Sequence, residues 1–320
     1  MIENGKISAL QMGMILYVIV LATAILSLPA VAGKEAKQDL WISPIWASII
    51  GFLVVSILWK LHIFYPKQNI VQYSEHIMGK FAAKILAIIF LFFHLFLNGI
   101  VLRQYAEFIA NFFPKTPILV VIASLVLVSA SVAYGGLEVL ARVTQTFFPL
   151  FVFPFLIMGF LLLPDMKVQN ILPIMGNGIL PSLKGAIAVQ SWLGDFLYIS
   201  FFLPFLTNPE KGRKWGIISI VTVVLTMVFT NLITIFVLDG VIKGQIYPVM
   251  NVARYISLGQ FFEHLESIVM AIWVTGIFLK ISAIYYVLVL GAAQCLDVKD
   301  YKPFVLKTGI IRIYPLYILS

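Results

Sequence analysis

Two ionisable residues sit inside stretches of chain that are otherwise apolar. Asp195 follows Gly194 directly and lies three residues after Trp192, and Lys280 lies within Ile268 to Leu290, where Thr275 and Ser282 are the other small polar residues. At mid-membrane depth a carboxylate or ammonium costs at least about 2.5 kcal/mol to insert, so such groups face a partner, a cavity or a pathway. Asp195 can therefore hold a ligand ammonium, a cation or a proton beside unwound backbone, or pair structurally with a neighbouring helix. Lys280 is too central to snorkel, which leaves a fixed positive charge in place of a bound cation, or a pair with a carboxylate such as Asp195.

Other segments carry weaker signals. Ala22, Thr23 and Ala24 are small enough for the backbone to leave helical geometry, with Ser27 and Pro29 following; freed amides there would favour an anion. Small residues equally serve plain helix packing in a membrane. A third segment bears His94, Asn98, Arg103, Gln104, Glu107 and Asn111. Arg103 and Glu107 are spaced to neutralise each other, whereas Asn98 lies nearer mid-depth and could line a cavity. Catalytic signatures are missing: there is no Walker-A pattern, His-Glu-x-x-His or Gly-x-Ser-x-Gly. The four histidines are scattered and Cys295 is the single cysteine, so neither a catalytic set, a metal site nor a resident cofactor is expected.

The elements that must position these residues are membrane helices. With 61% hydrophobic residues, 11% charged ones and a mean hydropathy of +1.02, the chain has too little polar surface to cover a soluble globule. It reads as an all-α polytopic membrane protein. Nine apolar stretches are long enough to cross a bilayer of about 30 Å. They run Ala9 to Val31, Ile42 to Phe64, Phe81 to Phe112, Pro117 to Tyr134, Gln145 to Leu163, Gly185 to Leu206, Trp215 to Leu238, Phe262 to Gln294 and Pro303 to Leu319. The first is expected to be retained, being too long for a signal-peptide core and nearly lacking a charged leader. Short helices are expected over Asn69 to Gly79, with interfacial spacing, and over Leu137 to Thr144, where Glu138 and Arg142 stand four apart.

The net charge of +8 comes from loops rather than from one soluble face, which argues against nucleic acid. Alternating the spans gathers Lys6, Lys60, Lys67, Lys80, Lys84, Arg142, Lys211, Arg213, Lys214, Lys299, Lys302 and Lys307 on one side. The other side receives fewer: Lys34, Lys37, Lys115, Lys167, Lys184, Lys243 and Arg254. That excess predicts a cytoplasmic N-terminus.

Two interrupted segments occupy matching places: Thr23-Ala-Ile-Leu-Ser-Leu-Pro29 and Gln190-Ser-Trp-Leu-Gly-Asp-Phe-Leu-Tyr-Ile-Ser-Phe-Phe-Leu-Pro204. Gly/Pro-interrupted segments at corresponding positions of two repeats point to the ligand site of secondary transporters. Aligning Pro29 with Pro204 divides one membrane domain, 1–320, into a five-span repeat over 1–163 and a second over 164–320, incomplete at its C-terminus. The odd count of the first block inverts the second.

Ala24-Ile-Leu-Ser-Leu-Pro29, Val71-Gln-Tyr-Ser-Glu-His-Ile-Met-Gly-Lys80, Gly136-Leu-Glu-Val-Leu-Ala-Arg142, Leu172-Pro-Ile-Met-Gly176 and Ile272-Trp273 with Phe278-Leu-Lys-Ile-Ser282 together resemble the B-subunit family of endospore germinant receptors. That family belongs with the amino acid, polyamine and organocation transporter superfamily. The resemblance implies a LeuT-like inverted-repeat bundle with broken first and sixth helices and about ten spans, of which nine are visible here. It implies a receptor in the spore inner membrane, acting with an A subunit and a lipoprotein C subunit on a small nutrient, typically an amino acid, or a sugar or nucleoside. The family's first, third, sixth and eighth helices enclose the pocket, which maps onto Thr23 and Ala24, Asn98, Trp192, Leu193, Gly194 and Asp195, and Lys280 with Ser282. The competing reading is a proton- or cation-coupled amino-acid permease using the same pocket.

Overall fold

The computed structural model describes residues 3–242, 244–256, 266–306 and 308–309. Its helices are α1 (Ala9–Ala36), α2 (Ser43–Phe64), α3 (Ile70–Met78), α4 (Lys80–Phe112), α5 (Ile118–Gly135), α6 (Leu137–Leu161), α7 (Leu180–Gly194), α8 (Ile199–Phe202), α9 (Gly212–Leu238), α10 (Pro248–Arg254) and α11 (Glu266–Cys295). Among the described residues eight helical stretches are long and apolar enough to cross a membrane, with α7 and α8 forming one of them. All but the beginning of the ninth sequence segment, and residues 262–265 ahead of α11, lie outside the described residues.

Local chemistry sets the boundaries. Ser8 caps α1 by accepting from the Gln11 amide while the Gln11 side chain accepts from the Ser8 amide, a reciprocal box worth about 1 kcal/mol. Asn69 and Gln72 repeat that arrangement at α3, the short helix expected from the sequence. Gly79 at φ +82° and Gly136 at φ +86° separate α3 from α4 and α5 from α6, in a backbone region that other residues enter at a cost. The stretch from Leu137 does not stop at Thr144; it continues through Pro149 and Pro154 to Leu161 as one helix. Prolines are tolerated within membrane helices because neighbouring helices and side chains satisfy the freed backbone groups.

Helix α1 occupies the centre, packed against α6, α7, α9, α10 and α11, and from Ile15 to Leu26 it is buried on every face. The sequence leads to an interruption here, but α1 runs unbroken through Pro29. Ser27 Oγ donates to the Thr23 carbonyl at 2.7 Å, so its hydroxyl is bonded within the helix just before the proline. The sixth span is interrupted as expected. It passes from α7 into a 3₁₀ turn at Asp195–Tyr198, back to α8, and into a second 3₁₀ turn at Leu203–Phe205 around Pro204.

The first and sixth spans run antiparallel. The N-terminal end of the first meets the exit of the sixth, with the Ile7 amide donating to the Phe205 carbonyl at 3.1 Å. Trp192 bonds Thr23 at mid-length, and Gly185 lies against Ala32 and Ala36 at the far end. Loops gather as the alternation of spans predicts. Asn69 bonds Gln294 and Lys84 bonds Asp297 at one end, while the Met175 amide bonds Asp39 and the Lys167 amide bonds the Phe236 carbonyl at the other.

Candidate functional site

Three helices meet at one polar node in the middle of the bundle. Lys280 Nζ, from α11, donates to Asp195 Oδ2 at 3.0 Å and to Thr23 Oγ1 at 3.1 Å. Trp192 Nε1, one turn before Asp195, donates to the same Thr23 oxygen at 3.0 Å. The Lys280 side chain is 4% exposed and that of Asp195 16%. Breaking such a pair leaves an uncompensated charge at low dielectric, which costs about 3–5 kcal/mol in a fully buried setting.

Asn98 reaches the same depth from α4. Phe90 stacks on Phe201 with ring centroids 5.7 Å apart, and His94 meets Tyr198 edge-on at 5.2 Å. A further turn along α4 therefore brings Asn98 level with Asp195. Asn98 is 1% exposed, and neither its amide nitrogen nor its oxygen has a hydrogen-bond partner among the described residues. A buried amide left this way costs about 1–3 kcal/mol and marks a place where a polar partner belongs. Gly194 is half-buried, and a Cβ added to it would meet no atom within 4 Å.

Of the nine sequence-derived positions, Thr23, Trp192, Asp195 and Lys280 are directly bonded together. Asn98 lies at the same depth on α4, and Gly194 immediately precedes Asp195. Ala24 and Leu193 are buried apolar residues. Ser282 is buried too, but its hydroxyl donates to the Phe278 carbonyl at 2.7 Å, and two residues along a helix it cannot share Lys280's face. Arg103 and Glu107 pair at 2.6 Å, as their spacing suggests. His94 Nδ1 is occupied by the Phe90 carbonyl at 2.7 Å.

Sequence reasoning missed two buried carboxylates, Asp39, which accepts from the Met175 amide, and Glu3. Glu3 Oε2 lies 3.2 Å from both the Leu137 amide and the Tyr286 hydroxyl and 3.3 Å from the Tyr301 hydroxyl, while Oε1 accepts from the Gly5 amide at 2.7 Å. One side chain thus ties the N-terminal segment to the start of α6, to α11 and to the chain beyond it. Burial, with the Glu3 charge beside it, holds the Tyr301 phenol above its ordinary range, so it remains a donor. The signals that could have found this cluster are an acid ahead of the first apolar run and Tyr286 within the last helix.

Among the described residues no group of three or more His, Cys, Asp or Glu is assembled for a metal. What the node offers is one positive group, one negative group and a hydroxyl where three helices meet, with an unpartnered amide at the same depth on α4. That set suits a small polar ligand carrying charge.

Comparison with known proteins agrees with this architecture. Residues 6–319 match the family described as spore germination protein. Spore germination protein YndE of Bacillus subtilis is 27% identical over 99% of this chain and 87% of its own length. Spore germination protein KB of the same organism is 24% identical over 93% and 81%, and GerQB of Bacillus cereus is 22% identical over 97% and 85%. With the family match spanning nearly the whole chain, and with multiple membrane-crossing helices around a polar centre, this protein belongs to the spore germination protein family.

Proposed function

We propose that this chain is the membrane-embedded nutrient-sensing subunit of a spore germinant receptor, and not an enzyme. It binds a small germinant, most simply an amino acid, between α1, α4, the break after α7 and α11. The observation that carries the reading is the Lys280–Asp195 pair bonded to Thr23, with the unpartnered Asn98 amide at the same depth, an arrangement dearer than apolar packing and so favouring a role in binding. Antiparallel first and sixth spans support the inverted-repeat division at 163/164. The excess of basic loops beside the N-terminus supports a cytoplasmic N-terminus. The family resemblance supports a spore inner-membrane location and A and lipoprotein C partner subunits. Ligand binding acts by its differential affinity for two receptor states.

The test is germination of spores lacking the gene across amino acids, sugars and nucleosides, with uptake of any active labelled nutrient followed in vegetative cells expressing the protein. Loss of response to one nutrient class without uptake is the expected result. Uptake with normal germination would make the protein a permease.

A further inference from the structure

Resting on that reading of the node, we infer that the Lys280–Asp195 contact is the resting occupant of the ligand's place, and that a ligand binds by exchange. Its anionic group takes Lys280 and its cationic group takes Asp195, and the two side chains part.

The node as it stands is closed and electrically balanced. Lys280 is 4% exposed on its side chain, Thr23 7% and Asn98 1%, so a polar molecule reaches Asn98 only by displacing something. The groups at the pair are Thr23 from α1 and Trp192 from α7, with His94 of α4 within electrostatic reach of Asp195 and Asn98 at the same depth. His94 Nδ1 is bound to the Phe90 carbonyl and Trp192 Nε1 to Thr23. None of these supplies a second full charge to stabilise one member of the pair once its partner is taken. Asp195 is the more accessible member, so a ligand ammonium reaches it first. Lys280, with its long flexible stem, is the member able to withdraw.

Selectivity follows from the charge balance. A ligand with only a cation satisfies Asp195 and leaves Lys280 bare, and one with only an anion does the reverse. A neutral ligand gains nothing from parting the pair. A zwitterion replaces both halves and leaves no charge uncompensated. Because it stands between groups that were in direct contact, the Lys280 side chain swings away from Asp195 and α11, which carries it, repacks. That movement is the signal, transmitted through the helix that also carries Tyr286.

The experiment uses the full chain in lipid nanodiscs and measures binding of L-alanine, L-valine and L-leucine, their amides (cation only) and their N-acetyl derivatives (anion only). Wild type is expected to prefer a zwitterion by about tenfold or more. Lys280→Met is expected to gain the matching amide, and Asp195→Asn the matching N-acetyl anion, each by about tenfold. The double variant Asp195→Asn/Lys280→Met leaves no bare charge to endanger folding and is expected to lose the discrimination. If wild type takes the zwitterion but neither single variant gains its ligand, or the double variant still discriminates, exchange is overturned while the site stands. Preference of wild type for a sugar or nucleoside over the whole panel, with Asn98 required, overturns it as well. Ligand binding indifferent to substitution at Thr23, Asn98, Asp195 and Lys280 removes the site itself, and exchange with it.

Discussion

Lys280 on α11 and Trp192 on α7 donate to the same atom, Thr23 Oγ1, at 3.1 and 3.0 Å. A single hydroxyl in the buried first helix thus fixes the relative positions of two others, one of which is interrupted three residues later. Thr23→Val keeps the shape and removes the acceptor. Two buried donors then lose a partner, and thermal unfolding of the purified protein should register a loss of about 1–3 kcal/mol. Thr23→Ser should recover most of it. Stability of the valine variant equal to wild type would show that the shared acceptor contributes nothing.

Asp195→Ala strips the counter-charge from Lys280. The protein should still reach the membrane, because the spans and loop charges are unchanged, but its nutrient response should vanish or shift strongly. The accompanying loss of stability should fall below the about 3–5 kcal/mol of a fully enclosed pair, since Asp195 is partly exposed. Membrane-fraction immunoblots alongside germination dose–response curves check both parts. An unchanged dose response would remove Asp195 from the site.

Glu3→Gln exchanges one acceptor oxygen for a donor where Leu137 N–H, Tyr286 and Tyr301 all point at the carboxylate. The N-terminal segment should loosen from the start of α6. Hydrogen exchange at the Leu137 and Gly5 amides should accelerate by about tenfold, corresponding to roughly 1.4 kcal/mol of lost protection. Unaltered exchange there would mean that the helices alone hold this end together.

Asp297 lies just beyond α11, bonded to Lys84 at 3.0 Å with Lys80 at 3.6 Å, and these ammonium groups hold its carboxyl below the ordinary range. A depressed folded-state value stabilises the fold above the unfolded carboxylate pKa of about 3.9 and is lost as pH falls through the lower folded value. Asp297→Asn should therefore cost little below that window and a small, salt-sensitive amount at neutral pH, given the exposure of all three side chains. A pH-independent difference between the two proteins would contradict this.

Membrane class, eight of nine spans and the sixth-span break were legible because apolar length, Gly194 and Pro204 are local signals. The Asp195–Lys280 pair was legible as two expensive intramembrane charges, one of whose open readings was each other. Continuity of α1 was not, because a proline in a membrane helix is tolerated or disruptive according to what packs around it. Nor was the fusion of the 137–144 stretch with the fifth span, because the polar residues Glu138, Arg142, Thr144 and Gln145 set its start apart from the apolar run that follows. Ser282 was named with Lys280 through the family resemblance, and its hydroxyl is bonded to the Phe278 carbonyl on its own helix. The role of Glu3 drew no notice, since its partners Tyr286 and Tyr301 lie more than 280 residues away.

Asn98 separates function from folding most cleanly, because its amide has no partner to lose. Asn98→Leu should leave the unfolding temperature of the protein unchanged or raise it, since an unsatisfied buried amide is replaced by an apolar group of similar size. Spores carrying this variant should nonetheless need about tenfold or more nutrient for half-maximal germination, the worth of one lost ligand hydrogen bond. A wild-type dose response in those spores would contradict the placement of the nutrient site at this node.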